Sequence, residues 1–326
     1  MRILVAGGGG FIGSVLTPML LERGHDAEVV DLFWFGNALP PRVPFSQRDL
    51  FDLTEEDLAG FDLVVFMAGL SNDPMAEYDP ARNFIDNGAL PSYLAFCAKK
   101  AGVKRFVYAS SCSVYGFTVN EMYDEEAPVT CAYPYGISKL QGERGVLQLQ
   151  DDSFSTIALR QGTVCGYSPR MRFDLIVNTM YKCAMSDRQI TVNNPIIWRP
   201  IIDVRDTARA FVQAIESPMS VNGVFNVAIE NFTVGEIAET VRAYVEKQLG
   251  ERIRVTTKNI QDVRNYRVTS EKARRVLGFR PLHGVADMLE SIHTHHANFG
   301  DFADDAYYNI NTFRKIDDAR RASLGL

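Results

Sequence analysis

No apolar run in this 326-residue chain approaches the roughly 20 residues that a membrane-spanning helix needs. An excess of basic charge is also missing. Thirty-four Lys and Arg stand against forty Asp and Glu, a net charge of -6, which excludes the broad basic face of a nucleic-acid binder but leaves room for local basic pockets that hold an anionic small molecule. The five cysteines (Cys97, Cys112, Cys131, Cys165, Cys183) are odd in number, widely spaced and without a CxxC pair. That pattern implies reduced thiols in a cytoplasmic protein and no zinc site. Histidine is as scarce, and three of the five sit in "HTHH" as His293, His295 and His296. Imidazoles at i, i+2 and i+3 diverge around a helix, so the expectation is a solvated face and no metal. Repeats and low-complexity tracts are absent. The opening "MRILVAGGGG" is too short for a signal-peptide core and runs straight into glycine, so it reads as a strand.

What is present is globular composition, 46% hydrophobic and 23% charged, enough for one large α/β unit or two domains. Short continuous apolar runs, "RILVA", "AEVVDL", "DLVVFMAG", "KRFVYASS" and "STIALRQGTV", alternate with helix-length segments. Continuous rather than alternating runs are what a sheet covered on both faces requires, and the rhythm predicts an α/β fold, a doubly wound parallel sheet of Rossmann type. Pro18 inside the first helix predicts a kink. The rhythm breaks near Gly166. "FNVA" at 225–228 reads as one more buried strand returning to the main sheet. The helix after Thr233 opens with Thr233 and Glu236 in capping-box spacing and puts Val234, Ile237, Ala238, Val241 and Val245 on one face. The expected division is a cofactor domain of residues 1–166 plus about 199–228, and a smaller mixed substrate domain of about 167–198 plus 229–326.

"GGGGFIGS" follows a strand and opens a helix. Gly7, Gly10 and Gly13 read as GxxGxxG; Gly8, Gly10 and Gly13 read as GxGxxG. Either spacing lets a backbone approach a pyrophosphate and aims a helix N-terminus at its charge. Asp31, which ends the next strand, is placed to bind a ribose 2′-hydroxyl and to repel a 2′-phosphate. No arginine follows until Arg42, so NAD is favoured over NADP. The competing account of Asp31 is a turn carboxylate at a strand end. Asp49, after the third strand, is a weaker candidate for the adenine.

Downstream, "YPYGISK" sets Tyr135 and Lys139 four apart on one helical face. A free phenol, with a pKa of about 10, is a poor base at neutral pH. A neighbouring ammonium and a cationic nicotinamide ring would favour its anion. Alone, YxxxK is a common solvated helix face.

Glycine turn, Asp31, "SSCSVYG", "YPYGISK" and "WRPIIDVRD", in this order, resemble the extended short-chain dehydrogenase/reductases, and within them the nucleotide-sugar epimerases and dehydratases. The resemblance runs from Met1 to about Phe279. It implies NAD held by Gly7, Gly10, Phe11, Ile12, Gly13, Asp31, Asp49 and Ala68 together with Tyr135 and Lys139. It makes Tyr135 the general base, Lys139 its tuning partner and Ser111 a hydrogen-bonding partner of the substrate hydroxyl. It puts Asn87 at the family's helix asparagine, and Arg199 and Arg264 at positions that hold a nucleotide diphosphate, a task that suits the planar guanidinium fork. A surface ion pair is the competing account for each arginine.

Three features depart from that family's pattern. Its 4-epimerases carry an asparagine after the sixth strand where this chain has Thr163. "SPRMRFDLIVN" brings Arg170, Arg172 and Asp174 to the region that should cover the nucleotide, with Arg172 the substrate-binding candidate. The 4,6-dehydratases carry two acids in the serine turn, at the positions of Cys112 and Ser113, so dehydration of that type is disfavoured. Cys112 is one place away from the cysteine of some 3,5-epimerases. It reads either as a thiol acid or base or as buried apolar filling. The implied activity is an NAD-dependent nucleotide-sugar epimerase working through a transient 4-keto sugar. A dehydratase or 4-keto-sugar reductase, and a non-catalytic NAD sensor, are the alternatives. The implied partners are a nucleotide-diphosphate sugar and a second copy of the chain, a homodimer formed through the helices of "NFIDNGALPSYLAFC" and "YPYGISKLQGERGVLQL". Neither a nucleic acid nor a membrane is implied.

Overall fold

A computed structural model describes residues 1–259 and 265–324. Its centre is a seven-stranded sheet, parallel throughout, in the order Gly223–Val227, Ser155–Gln161, Arg105–Ser111, Leu63–Phe66, Arg2–Ala6, Asp26–Asp31, Phe45–Gln47. Neighbouring side chains of one strand enter different cores, as a pleated strand requires. Ile3 and Val5 join Leu16, Leu20, Phe211 and Ile215 on one face, while Leu4 and Ala6 join Phe66, Leu94, Ala98 and Phe106 on the other. Burial on both faces is why these strands read as unbroken apolar runs.

The chain moves outward in one direction from Arg2–Ala6 through Asp26–Asp31, then returns to add Leu63–Phe66 on the other side. A crevice therefore opens at the carboxyl ends of Arg2–Ala6 and Leu63–Phe66, where such sheets bind their ligands. The helix Gly13–Glu22 leaves this crevice and stays continuous through Pro18.

The remaining strands form three small sheets: Glu230–Thr233, Trp198–Asp203 and Thr163–Cys165; Gln189–Asn193 with Arg254–Lys258; and Phe117–Tyr123 with Asn265–Val268. Helix Val234–Leu249 begins with the expected capping box. The Thr233 amide donates to Glu236 at 2.7 Å, and the Glu236 amide donates to the Thr233 hydroxyl at 3.2 Å. Its five expected apolar positions are all buried against Phe173, Tyr181, Met288 and Leu289. Among the described residues no helix is long and apolar enough to cross a membrane.

The histidine face is only partly solvated. Helix Val285–Thr294 ends before His295, so the divergence expected of a continuous helix does not apply, and a short turn brings His296 back. The Nδ1 atoms of His293 and His296 lie 2.9 and 3.2 Å from the Tyr181 hydroxyl, and His295 stacks on Tyr167 with ring centroids 3.6 Å apart. Among the described residues no cluster of His, Cys, Asp and Glu is arranged to hold a metal.

The C-terminal helix Asn309–Leu324 returns to the mouth of the crevice. Phe313 enters a small core with Leu70 and Met75, its ring 5.7 Å from Trp34 and 5.8 Å from Tyr78.

Candidate active site

Every strand of the central sheet except Gly223–Val227 ends at or just before the lining of one cavity of about 710 Å³. The first strand gives the glycine turn. Gly7 has φ +85°, and a Cβ there would lie 2.4 Å from the Ala68 nitrogen; a Cβ on Gly13 would lie 2.4 Å from the Gly8 carbonyl oxygen. The fold itself demands glycine at both. Gly10 differs, since the nearest atom to a Cβ there is the Gly7 oxygen at an ordinary 3.5 Å. Gly10 lines the cavity, and a side chain there would take space in front of the helix N-terminus. That is what a ligand phosphate approaching the backbone requires. At the end of the second strand, Asp31 accepts the Gly9 and Phe33 amides at 2.9 and 2.8 Å. Burial raises its pKa, and these amides and Arg170 oppose the rise. Asp49 accepts the Phe51 amide at 3.0 Å and also reaches the wall, as do Phe11, Ile12 and Ala68. Glycine turn, helix N-terminus and the strand-end acid Asp31 share this cavity, an arrangement that fits a dinucleotide.

The strand Arg105–Ser111 ends in the serine turn, and helix Pro134–Leu147 lies beside it. The Ser111 hydroxyl accepts the Ser113 amide and donates to the Ser113 hydroxyl, both at 3.1 Å. Tyr135, Lys139 and Ser111 all line the cavity. Burial pushes the Tyr135 phenol above its usual range and Asp73 adds to the rise, while a hydrogen bond with Ser111 and the charge of Arg172 pull the other way. Lys139 is only 6% exposed, its ammonium 4.7 Å above the Tyr108 ring. Burial lowers it to about 7 against the opposing pull of Glu143. Among the protein's own groups, desolvation is the largest influence on Tyr135 and favours the protonated phenol.

This lysine makes a stability prediction. An unfolded lysine titrates near pH ~10.4, so above about pH 7 the unfolded chain holds a proton that the folded chain has released. The contribution of this group to stability therefore rises with pH between those values. From about pH 7 to about pH 9, cofactor-free wild type should gain about 2 kcal/mol over Lys139→Met in urea unfolding. Parallel pH profiles of the two proteins would show that the lysine is not desolvated.

Asn87 also lines the cavity, but its amide nitrogen donates to Leu70 O and Asn83 Oδ1 at 2.8 Å and to Ser138 Oγ at 3.2 Å. Its Oδ1 faces Gly69 without a hydrogen-bond partner among the described residues. Cys112 is not brought to the cavity. It is fully buried behind the turn, its thiol donating to the Arg160 carbonyl at 3.2 Å, and burial drives its pKa far above the ordinary thiol value.

On the opposite wall, Arg172 grips Asp174 through Nε and Nη2 at 2.8 and 3.0 Å and donates to Ser71 at 3.2 Å. Arg199 stands 5.8 Å from the Tyr266 ring, and Thr163 lies on the neighbouring strand. Arg264 lies outside the described residues. Sequence reasoning did not single out Ser71, Asp73, Tyr266 or Asn309, all of which line the same cavity. Tyr266 had a local signal, its place two residues after Arg264; Asn309 had none.

The family model described as "NAD dependent epimerase/dehydratase family" matches residues 3–228. Among curated proteins, the UDP-glucose 4-epimerase of Corynebacterium glutamicum is 27% identical over 303 residues, covering 87% of this chain and 92% of its own. The UDP-glucose 4-epimerase of Lactobacillus helveticus is 27% identical over 318 residues, covering 88% and 94%. A solved structure, MoeE5 in complex with UDP-glucose and NAD, superposes with a TM-score of 0.81 at 25% identity, over 92% of this chain and all of that one.

Proposed function

The chain belongs to the NAD dependent epimerase/dehydratase family, and from that premise we propose that it is a nucleotide-sugar epimerase working through a transient 4-keto sugar. The observation that carries the reading is the meeting of Tyr135, Ser111 and Lys139 in the cavity that also holds the glycine turn and Asp31. The similarity to UDP-glucose 4-epimerases along most of the chain supports the substrate class. Residues 1–166 with 199–228 are assigned to the cofactor, and 167–198 with 229–326 to the sugar nucleotide.

NAD, when bound, supplies a hydride acceptor that can later return the hydride to the opposite face of the same carbon. The protein's task is to manage the proton and the orientation. Ser111 holds the sugar 4-hydroxyl beside Tyr135, whose oxygen takes the hydroxyl proton. A cation entering the cavity favours the phenolate and offsets the burial that otherwise holds the proton on Tyr135. Arg199, and Arg172 if it releases Asp174, face the diphosphate. With Cys112 shut away and Ser113 a hydroxyl, the serine turn supplies neither acid of the dehydratase pattern, which favours epimerisation over dehydration. Phe84, Ile85, Phe96 and Ile137 expose apolar surface along the two expected pairing helices, which supports a homodimer.

The test is product analysis with UDP-, dTDP-, GDP- and CDP-hexoses in D2O. The reading expects the 4-epimer of at least one of them, with no carbon-bound deuterium and no added cofactor consumed. Solvent deuterium in the product would indicate dehydration or 3,5-epimerisation, and steady consumption of added NADH would indicate a reductase; either rejects the proposal.

A further inference from the structure

Arg170 is buried to 4% exposure and lines the cavity beside the glycine turn. The turn and this segment are joined directly. Two residues before Arg170, the Ser168 hydroxyl donates to the Phe11 carbonyl at 2.7 Å and shares a hydrogen bond with Ser14 at 2.8 Å. The guanidinium lies 3.6 Å over the Phe35 ring, and Nη2 donates to Asn309 Oδ1 at 2.6 Å. Nε and Nη1 have no partner among the described residues.

A buried guanidinium with two unmatched donors is costly, because water is gone and nothing replaces it. Burial lowers its pKa to about 9, with Arg172 adding to the fall. The nearby acids do not satisfy it. Asp31 is held by the Gly9 and Phe33 amides, and Asp174 by Arg172 and Asn72. The side chain is therefore poised for an anion that arrives from the cavity, and the helix N-terminus at Gly13 favours negative charge at the same place.

We propose that Arg170 grips the pyrophosphate of the bound dinucleotide from the side opposite the glycine turn, and that Asn309 fixes the guanidinium for this task. The inference rests on the NAD reading of the turn and adds a second jaw to it. It also gives the C-terminal helix a function: by presenting Asn309 and packing Phe313 near Trp34, the helix ties retention of the cofactor to its own docking.

The test compares adenosine, ADP, NAD, NADP and UDP by calorimetry on wild type, Arg170→Met and Arg170→Lys, each stripped of bound nucleotide. Wild type should bind ADP at least tenfold more tightly than adenosine. Arg170→Met should lose at least tenfold for ADP and NAD and keep adenosine and UDP within about twofold, with Arg170→Lys intermediate because it keeps charge but not the fork. The stripped Met variant should melt no lower than wild type, since it removes a buried charge with two unmatched donors; a lower melting temperature would mean a folding role. Equal loss of adenosine and ADP, loss confined to UDP or to NADP, or no loss at all would each overturn the clamp. Wild type that binds neither NAD nor ADP would overturn the dinucleotide reading itself.

Discussion

Tyr135→Phe should lower kcat for epimerisation by about 10³-fold while leaving the dissociation constants of NAD and of the sugar nucleotide within about threefold. The ring stays, so the walls of the cavity keep their shape; only the oxygen that takes the proton is lost. Stability should change by no more than about 1 kcal/mol, because the hydroxyl gives up only its bond with Ser111. The size of the kinetic loss follows from the environment of the phenol. Burial and Asp73 hold the proton in place, while Ser111 and Arg172 favour its departure, so the acidity of this group is set by a balance that a bound cation can tip. Steady-state rates with independently measured binding decide the matter. A variant that retains more than about a tenth of wild-type turnover would remove Tyr135 from the chemistry and with it the epimerase proposal.

How much of this was legible in the chain depends on the distance over which each feature is written. The strands were readable because burial on both faces makes a local run apolar. The helix at Val234 was readable because its cap and its stripe lie within a few turns of each other. The glycine turn, Asp31, and Tyr135 with Lys139 were readable for the same reason, and these residues share one cavity. Contacts between distant segments were not readable. No arginine follows Asp31 in the chain until Arg42, yet the fold brings Arg170 within electrostatic reach of Asp31. Nothing in "DDAYYNINTFRK" signals that Asn309 will bond Arg170 and Ser71. Cys112 sits in a legible motif, but its direction depends on how the turn seats over Arg160. The burial of Tyr135 and Lys139 was not readable either, because spacing reports proximity and not desolvation, and desolvation is the largest influence on both groups.

The largest expected loss of stability is at a residue that does not line the cavity. Glu143→Ala should cost about 3–5 kcal/mol in urea unfolding. Glu143 and Arg160 have side chains 2% and 6% exposed, and they meet through Nη2 and Nε at 2.6 and 2.9 Å. The Ser110 hydroxyl donates to the same carboxylate at 2.6 Å, and Arg160 donates onward to the Tyr115 hydroxyl at 2.8 Å. Removing the carboxylate leaves a buried guanidinium facing a void, which is the expensive half of a broken pair. Replacing both partners by apolar side chains, as in Glu143→Leu with Arg160→Met, should recover much of the loss, because the desolvation cost of both charges disappears together. Activity should not recover with it. The ion pair ties the helix that carries Tyr135 and Lys139 to the strand Ser155–Gln161, the Ser110 hydroxyl ties the same carboxylate to the strand that ends at Ser111, and Glu143 holds the Lys139 ammonium up against its burial. The double variant should therefore fold with a slack catalytic face and a Lys139 that titrates below wild type. A single Ala variant that loses less than about 1 kcal/mol, or a stable double variant with full turnover, would show that the network neither bears the fold nor sets the site.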